Sequence, residues 1–291
     1  MFRLDYSIIY DIKMKMEIKA ICNQFRNEKN KIKDWVLYNI EEGFNTFILF
    51  DDHSTDDSEE IVRDTIEKCD KDIKLYYQYT DNNQEKKYES CLSTDEYQND
   101  SSLHARVSRS FLSGLNIFKS ICDDSNFHYC AFVDVDEILV SNRSEKITDI
   151  VSNMFLEKKV NHLYVQSYDV NTTGLENDRD IFYKDQTTRR WSDEDRKNFL
   201  NGKYKHRGKS IVTNKHTFVC SPIDYWSIIH CGGCIGSCFE TAVPHSSNKI
   251  PLSNELRINH YRVPPNDDST IFSEYDDFSY KNFKKLTNKG Y

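Results

Sequence analysis

The chain of 291 residues carries 39 Lys and Arg against 47 Asp and Glu, a net charge of −8 at pH 7. That balance disfavours nonspecific binding to nucleic acid or anionic lipid, and no stretch approaches the ~20 apolar residues of a transmembrane segment. A hydrophobic content of 38% and an aromatic content of 13% fit a folded chain with one large core, or one core and a smaller appendage.

The opening "MFRLDYSIIYDIKMKMEIKA" is interrupted by charges and has no proper apolar signal region, so a cytoplasmic location is expected. "EIKAICNQF" reads as a first strand, from about Glu17. "KIKDWVLYNIEEG" then sets Ile32, Trp35, Val36, Asn39 and Ile40 on one helical face, and Gly43 is a natural stop. "FNTFILF", Phe44 to Phe50, is a buried strand and "DDHSTDD" a polar turn. "SEEIVRDTIEKC" is a helix with Asp57 as N-cap and Glu60 three residues later. "IKLYYQY", Ile73 to Tyr79, is the third strand, and residues 80–101 read as a polar loop. Val107, Phe111, Leu115 and Phe118 follow at helical spacing, ahead of a strand in "YCAFVDVDEILV".

Strands alternating with helices predict an α/β fold with a mostly parallel sheet and right-handed crossovers. The second half is less regular. "VNHLYVQSY", "KSIVTN" and "INHY" read as extended, "RWSDEDRKNFL" as a short helix or loop, and "FSEYDDFSYKNFKKLTNKG" as helical. The nine cysteines, mostly scattered in apolar segments, read as reduced buried thiols.

Ligands of such sheets bind beyond the carboxyl ends of the strands. Two acidic clusters are expected there: Asp51 and Asp52 after "FILF", and Asp134, Asp136 and Glu137 after "CAFV". Read as strand residues, Asp134 and Asp136 project to the same side, while Glu137 points the other way or begins the turn. Two carboxylates on one face suit Mg²⁺ or Mn²⁺, with positions left for water and phosphate oxygens. The bland alternative is an acidic solvated loop. Asp51 and Asp52 suit acceptance of hydrogen bonds from a base or ribose, or else simple turn formation.

Taken together, "CNQFRNEKNKIKDWVLYNIEEGFNTFILFDDHSTDD", "FVDVDEILV", "KSIV", "IIH" and "LRINHY" resemble the glycosyltransferase 2-like/family 92 group. Its pattern is matched by Asn27-Glu28, Asp34-Trp35, Tyr38-Asn39, Gly43-Phe44 and Asp52 to Asp56, with Asn39 in place of the commoner His. The resemblance spans about residues 18 to 285. It implies a GT-A (Rossmann-like) fold as one domain, 1–291. Residues 17–140 would be the nucleotide-sugar half, and 141–291 the less regular acceptor side. It also implies a hexosyltransferase-type enzyme that moves a sugar from a UDP- or GDP-linked donor to a glycan, protein or small-molecule acceptor, with inversion.

Carried over residue by residue, Asp134, Asp136 and His260 become the metal ligands for Mn²⁺ or Mg²⁺. The nucleotide-sugar candidates are Asn23, Asn27, Glu28, Asp51, Asp52, Arg106, Asp134, Val135 and Lys209. His260 has the alternative of a buried ring bonded to backbone, and Lys209 that of a solvated surface lysine. The family's Trp-x-x-Phe-Gly-x-x-Gly segment is replaced by "VQSYDVNTTG", where only Gly174 corresponds.

An inverting transferase needs a carboxylate to take the acceptor proton. Asp169, Glu176, Asp195 and Glu240 are the candidates, with Asp169 preferred because it follows a strand and precedes a glycine-containing loop; Glu240 is the alternative. "HCGGCIGSC" offers His230, Cys231, Cys234 and Cys238 at a spacing compatible with zinc, or a glycine-rich turn with free thiols. Two other functions compete: phosphoryl or nucleotidyl transfer on a similar sheet, and a zinc-stabilised, non-catalytic binding module.

Overall fold

The computed structural model describes residues 16–80, 103–141, 143–159, 161–171, 187–188, 208–215, 256–262 and 274–275. The alternating first half forms β1 (Lys19–Phe25), α1 (Ile32–Glu41), β2 (Thr46–Asp51), α2 (Ser58–Glu67), β3 (Lys74–Tyr79), α3 (Leu103–Ile121) and β4 (Tyr129–Phe132). The remainder supplies β5 (Glu137–Ser141), α4 (Ile147–Lys158), β6 (His162–Asn171), β7 (Thr187–Thr188), β8 (Gly208–Thr213), β9 (Leu256–Arg262) and β10 (Glu274–Tyr275).

The sheet runs β10-β7-β6-β8-β4-β1-β2-β3. Its β4-β1-β2-β3 part is wholly parallel, and β8 is the reversed strand between β4 and β6. β9 lies parallel to β6 and antiparallel to β5. β1, β2 and β4 are covered on both faces, which explains their nearly unbroken apolar sequence. On one face Ile32, Trp35, Val36 and Ile40 of α1 join a core with Ile21, Phe47, Leu49 and Ala131. On the other, Phe111, Leu112, Leu115 and Phe118 of α3 pack on Ala20, Cys22, Ile48 and Phe132. The predicted α1 face is the buried one, and Asn39 within it donates its amide to the Trp35 carbonyl at 2.8 Å.

Gly43 has φ +98, and a Cβ there would lie 2.2 Å from Thr148 Oγ1. The helix stop is thus also the point where α4 touches the α1–β2 turn. Gly114 serves close approach on the opposite face: a Cβ would meet Cys22 Sγ at 2.3 Å.

Three local expectations change. "YCAFVDVDEILV" is not one strand, because the chain turns after β4 and resumes as β5. Asp57 occupies the N-cap position of α2 without a side-chain cap; Asp56 instead accepts the Ser58 N–H at 3.1 Å. Glu274 and Tyr275, expected in a helix, pair with β7 as a short strand. The "HCGGCIGSC" segment lies outside the described residues. Among the described residues no helix is long and apolar enough to cross a membrane.

Candidate functional site

β1, β2 and β4 run in the same direction, so their carboxyl ends open at one edge. At that edge β4 continues into a tight turn, closed by the Glu137 N–H donating to the Asp134 carbonyl at 3.0 Å. The turn is clamped from three elements. Asn23 of β1 donates its amide to the Val133 carbonyl at 2.7 Å. Trp35 and Tyr38 of α1 donate to the Glu137 and Leu139 carbonyls at 3.0 and 2.5 Å. The Tyr261 N–H of β9 donates to the Asp136 carbonyl at 2.7 Å. Val135 is buried in the core at the apex, so its side chain anchors the turn from below. Turn geometry, not strand alternation, sets the directions of Asp134 and Asp136.

Glu137 folds back, accepting the Asp134 N–H at 3.2 Å through Oε2. Lys209 of β8 reaches the same place. Its Nζ lies 2.5 Å from Asp134 Oδ2 and 3.4 Å from Glu137 Oε2, with the side chain only 3% exposed. It also sits 5.9 Å from the Phe111 ring centroid. The solvated-surface alternative for Lys209 is excluded. From β9, His260 places Nε2 3.3 Å from Asp136 Oδ2 and Nδ1 4.0 Å from Glu137 Oε1.

Burial pushes the Glu137 carboxyl up to about 7, against the pull of the Lys209 ammonium. Burial also works to raise Asp136, but His260, with Lys31 and Lys209, outweighs it and holds that carboxyl below its ordinary value. Burial disfavours the charge of Lys209, yet Asp134 and Glu137 reverse the balance and raise its pKa. Lys31 and Glu28, paired at 3.2 Å on the loop before α1, belong to the rim of the same cluster. Lys31 was not among the sequence candidates; it precedes Asp136 by over a hundred residues, and nothing local marks it.

The loops after β1 and β2 are stitched together. Asn27, with φ 56, accepts the Thr55 N–H at 2.7 Å and donates its own N–H to Ser54 Oγ at 2.9 Å. The Glu28 N–H donates to Ser58 Oγ at 2.9 Å. Asp51 is buried, accepting Tyr77 Oη–H and the Ser54 N–H, both at 2.6 Å. Asp52, also buried, accepts from Thr80 Oγ1 at 2.8 Å. These contacts shape the loops whatever else the residues bind.

Asp169 stands opposite His260 in the β6–β9 register, and His260 stands opposite Glu137 in the β5–β9 register. The three residues form one row across the small sheet. Arg106 lies in the first turn of α3. The side chains of Asp169 and Arg106, and all of Glu176, Asp195 and Glu240, fall outside the described residues.

A hard divalent ion needs oxygen donors with room for water, and Mn²⁺ accepts imidazole. Asp136 and His260 fit this description, being 33% and 22% exposed and facing each other. Asp134 is 25% exposed, but one oxygen already holds Lys209. Among the described residues no three His, Cys, Asp or Glu side chains converge as a ready ligand set. The chemistry of the donors fits such an ion, with Asp134 contested.

No protein-family model matches the chain, and no curated protein does. Solved structures similar to it include S. aureus TarS 1–349, at 17% identity and TM-score 0.34, covering 60% of this chain and 46% of that one. Another is glucosyl-3-phosphoglycerate synthase from Mycobacterium tuberculosis in complex with Mn²⁺, uridine diphosphate and glucosyl-3-phosphoglycerate, at 12% identity and TM-score 0.33, covering 68% and 57%. Apo mouse xyloside xylosyltransferase 1 follows at 8% and 0.31, covering 53% and 52%. The chain spans about half the length of these structures. Its own strand order, a parallel β4-β1-β2-β3 sheet with helices on both faces, makes the chain a Rossmann-like α/β fold.

Proposed function

We propose that the protein is a glycosyltransferase of the hexosyl type. In this reading it moves a sugar from a UDP- or GDP-linked donor to an acceptor hydroxyl, with inversion, and depends on Mn²⁺ or Mg²⁺. The observation that supports it is the charge cluster at the carboxyl edge of the parallel strands. Asp134, Asp136 and Glu137 meet Lys209 and His260 there within 4.0 Å. A purely structural ion-pair network has no need to sit where nucleotides bind in such sheets.

Asp136 and His260 would hold the ion, with Asp134 beside them. The bound ion would neutralise charge on the departing diphosphate. Lys209 adds a fixed positive charge at the same edge, and Asn27, Glu28, Asp51 and Asp52 shape the nucleotide side. Asp169 is the proposed base, supported by its register position in the row with His260 and Glu137. Glu240 is the alternative. The acceptor is a hydroxyl of a glycan, a protein or a small molecule.

The test is calorimetric titration with UDP and GDP in the presence of Mn²⁺, followed by a hydrolysis screen across nucleotide-sugars with Mn²⁺ and with chelator. The expected result is one nucleotide bound and one donor hydrolysed, with both effects abolished by chelator. A folded sample that binds neither nucleotide would overturn the reading.

A further inference from the structure

The two most deeply buried ionisable side chains in the cluster are a cation, Lys209, and a carboxyl, Glu137. The Lys209 side chain is 3% exposed, and its backbone is pinned within β8 between β4 and β6. Phe111 lies 5.9 Å from the ammonium, and Asp134 and Glu137 face it at 2.5 and 3.4 Å. An ammonium so enclosed depends on those carboxylates, because buried charge without a partner is strongly unfavourable. With an ion bound, Asp134 would serve two positive charges. One oxygen faces Lys209, while Asp136, two residues on, turns toward His260 at 3.3 Å. A divalent ion held by Asp136 and His260 would find Asp134, two residues from Asp136 in the same turn, already engaged.

We propose that Lys209 is a resident counter-ion that competes with the divalent ion for Asp134, so that Lys209 sets the metal affinity of the donor-free site. This rests on the metal-dependent reading above. The ammonium keeps the acidic turn folded when no ion is bound, and metal entry at Asp134 requires that contact to loosen. The consequence is a site that holds metal weakly on its own without collapsing through carboxylate repulsion.

The experiment is Mn²⁺ titration of the full chain without nucleotide, followed by electron paramagnetic resonance of the free ion. Lys209→Met should bind Mn²⁺ about tenfold or more tighter than wild type, and Lys209→Arg should stay within about threefold of it. In an Asp134→Asn background, Lys209→Met should change the affinity by less than about threefold, because the contested ligand is gone. Lys209→Met removes the ammonium that faces Asp134 and Glu137, so its Tm should fall, and Mn²⁺ should restore more of that Tm than it adds to wild type. This second readout holds even where the variant folds only with the ion present.

Unchanged Mn²⁺ affinity in Lys209→Met, with binding lost in Asp136→Asn, would overturn the competition and leave the metal reading standing. Equal tightening in both Asp134 backgrounds would overturn it too, since the effect would then be general repulsion. No Mn²⁺ binding by any of these proteins would overturn both.

Discussion

Trp35 donates its indole N–H to the Glu137 carbonyl at 3.0 Å, across 102 residues of sequence. Tyr38, one turn along α1, does the same to Leu139 at 2.5 Å. The first helix thus splints the start of β5, and with it the acidic turn that β5 follows. An error in the placement of α1 would be transmitted directly to Asp134 and Asp136.

Trp35→Phe removes that donor and part of a fully buried ring. The expected cost is about 2–4 kcal/mol, combining lost packing with a carbonyl deprived of its partner. Tyr38→Phe keeps the ring and should cost only about 0.5–1.5 kcal/mol. Urea denaturation at pH 7 measures both; a Trp35→Phe midpoint equal to wild type would refute the splint.

Gly43→Ala meets two obstacles: φ of +98 and Thr148 Oγ1 at 2.2 Å from the new Cβ. A loss of about 2–4 kcal/mol is expected, of which about 1–2 reflects backbone conformation alone. Adding Thr148→Ala should recover the steric part but not the conformational part. Thr148 Oγ1 donates to the Glu42 carbonyl at 2.9 Å, so Thr148→Ala alone also costs some stability. A double-mutant cycle separates these contributions, and a coupling near zero would mean that the turn relaxes freely.

Much of this arrangement is readable from local pattern. The α1 face follows from apolar spacing, Gly43 from its place after the helix, and the two acidic strand ends from apolar runs that stop at Asp. What fails is whatever depends on distant partners. "FVDVDEILV" alternates like a strand, yet the Glu137 N–H closes a turn onto Asp134, and the clamps come from Asn23, Trp35, Tyr38 and Tyr261. Lys209 looks like any lysine at the head of a strand; its burial reflects an acid 75 residues earlier. Glu274 and Tyr275 sit in a polar stretch where pairing with β7, rather than local propensity, decides the conformation.

Alkaline stability should be limited by tyrosines. Burial raises the phenols of Tyr38 and Tyr129 well above their ordinary value; burial, then the hydrogen bond to Asp51, raises Tyr77. In the unfolded chain these groups lose their protons near about pH 10. The folded state then binds more protons than the unfolded state, so stability is full below that pH and falls as pH rises above it. Absorbance at 295 nm should show an ordinary reversible step from exposed tyrosines. A steeper step should follow at higher pH, coincident with loss of the circular dichroism signal. A single smooth titration with the fold intact would contradict the burial of Tyr38 and Tyr129.

The two acidic clusters should separate under mutation, because their oxygens are differently committed. Asp51 already accepts from Tyr77 and Ser54, both at 2.6 Å, so Asp51→Asn breaks a buried network and should cost about 1–3 kcal/mol. Its effect on Mn²⁺ affinity should be small. Asp136 and His260 are partly exposed and face each other at 3.3 Å. Asp136→Asn or His260→Ala should lower stability by only about 0.5–1 kcal/mol, less than Asp51→Asn, and weaken Mn²⁺ binding at least about 10–100-fold, the loss already typical of residues one shell further out. Measuring midpoint and Mn²⁺ affinity on the same samples decides the matter. Were Asp51→Asn to abolish metal binding while Asp136→Asn spared it, the ion would belong at the end of β2, and the turn after β4 would be a purely structural ion-pair network.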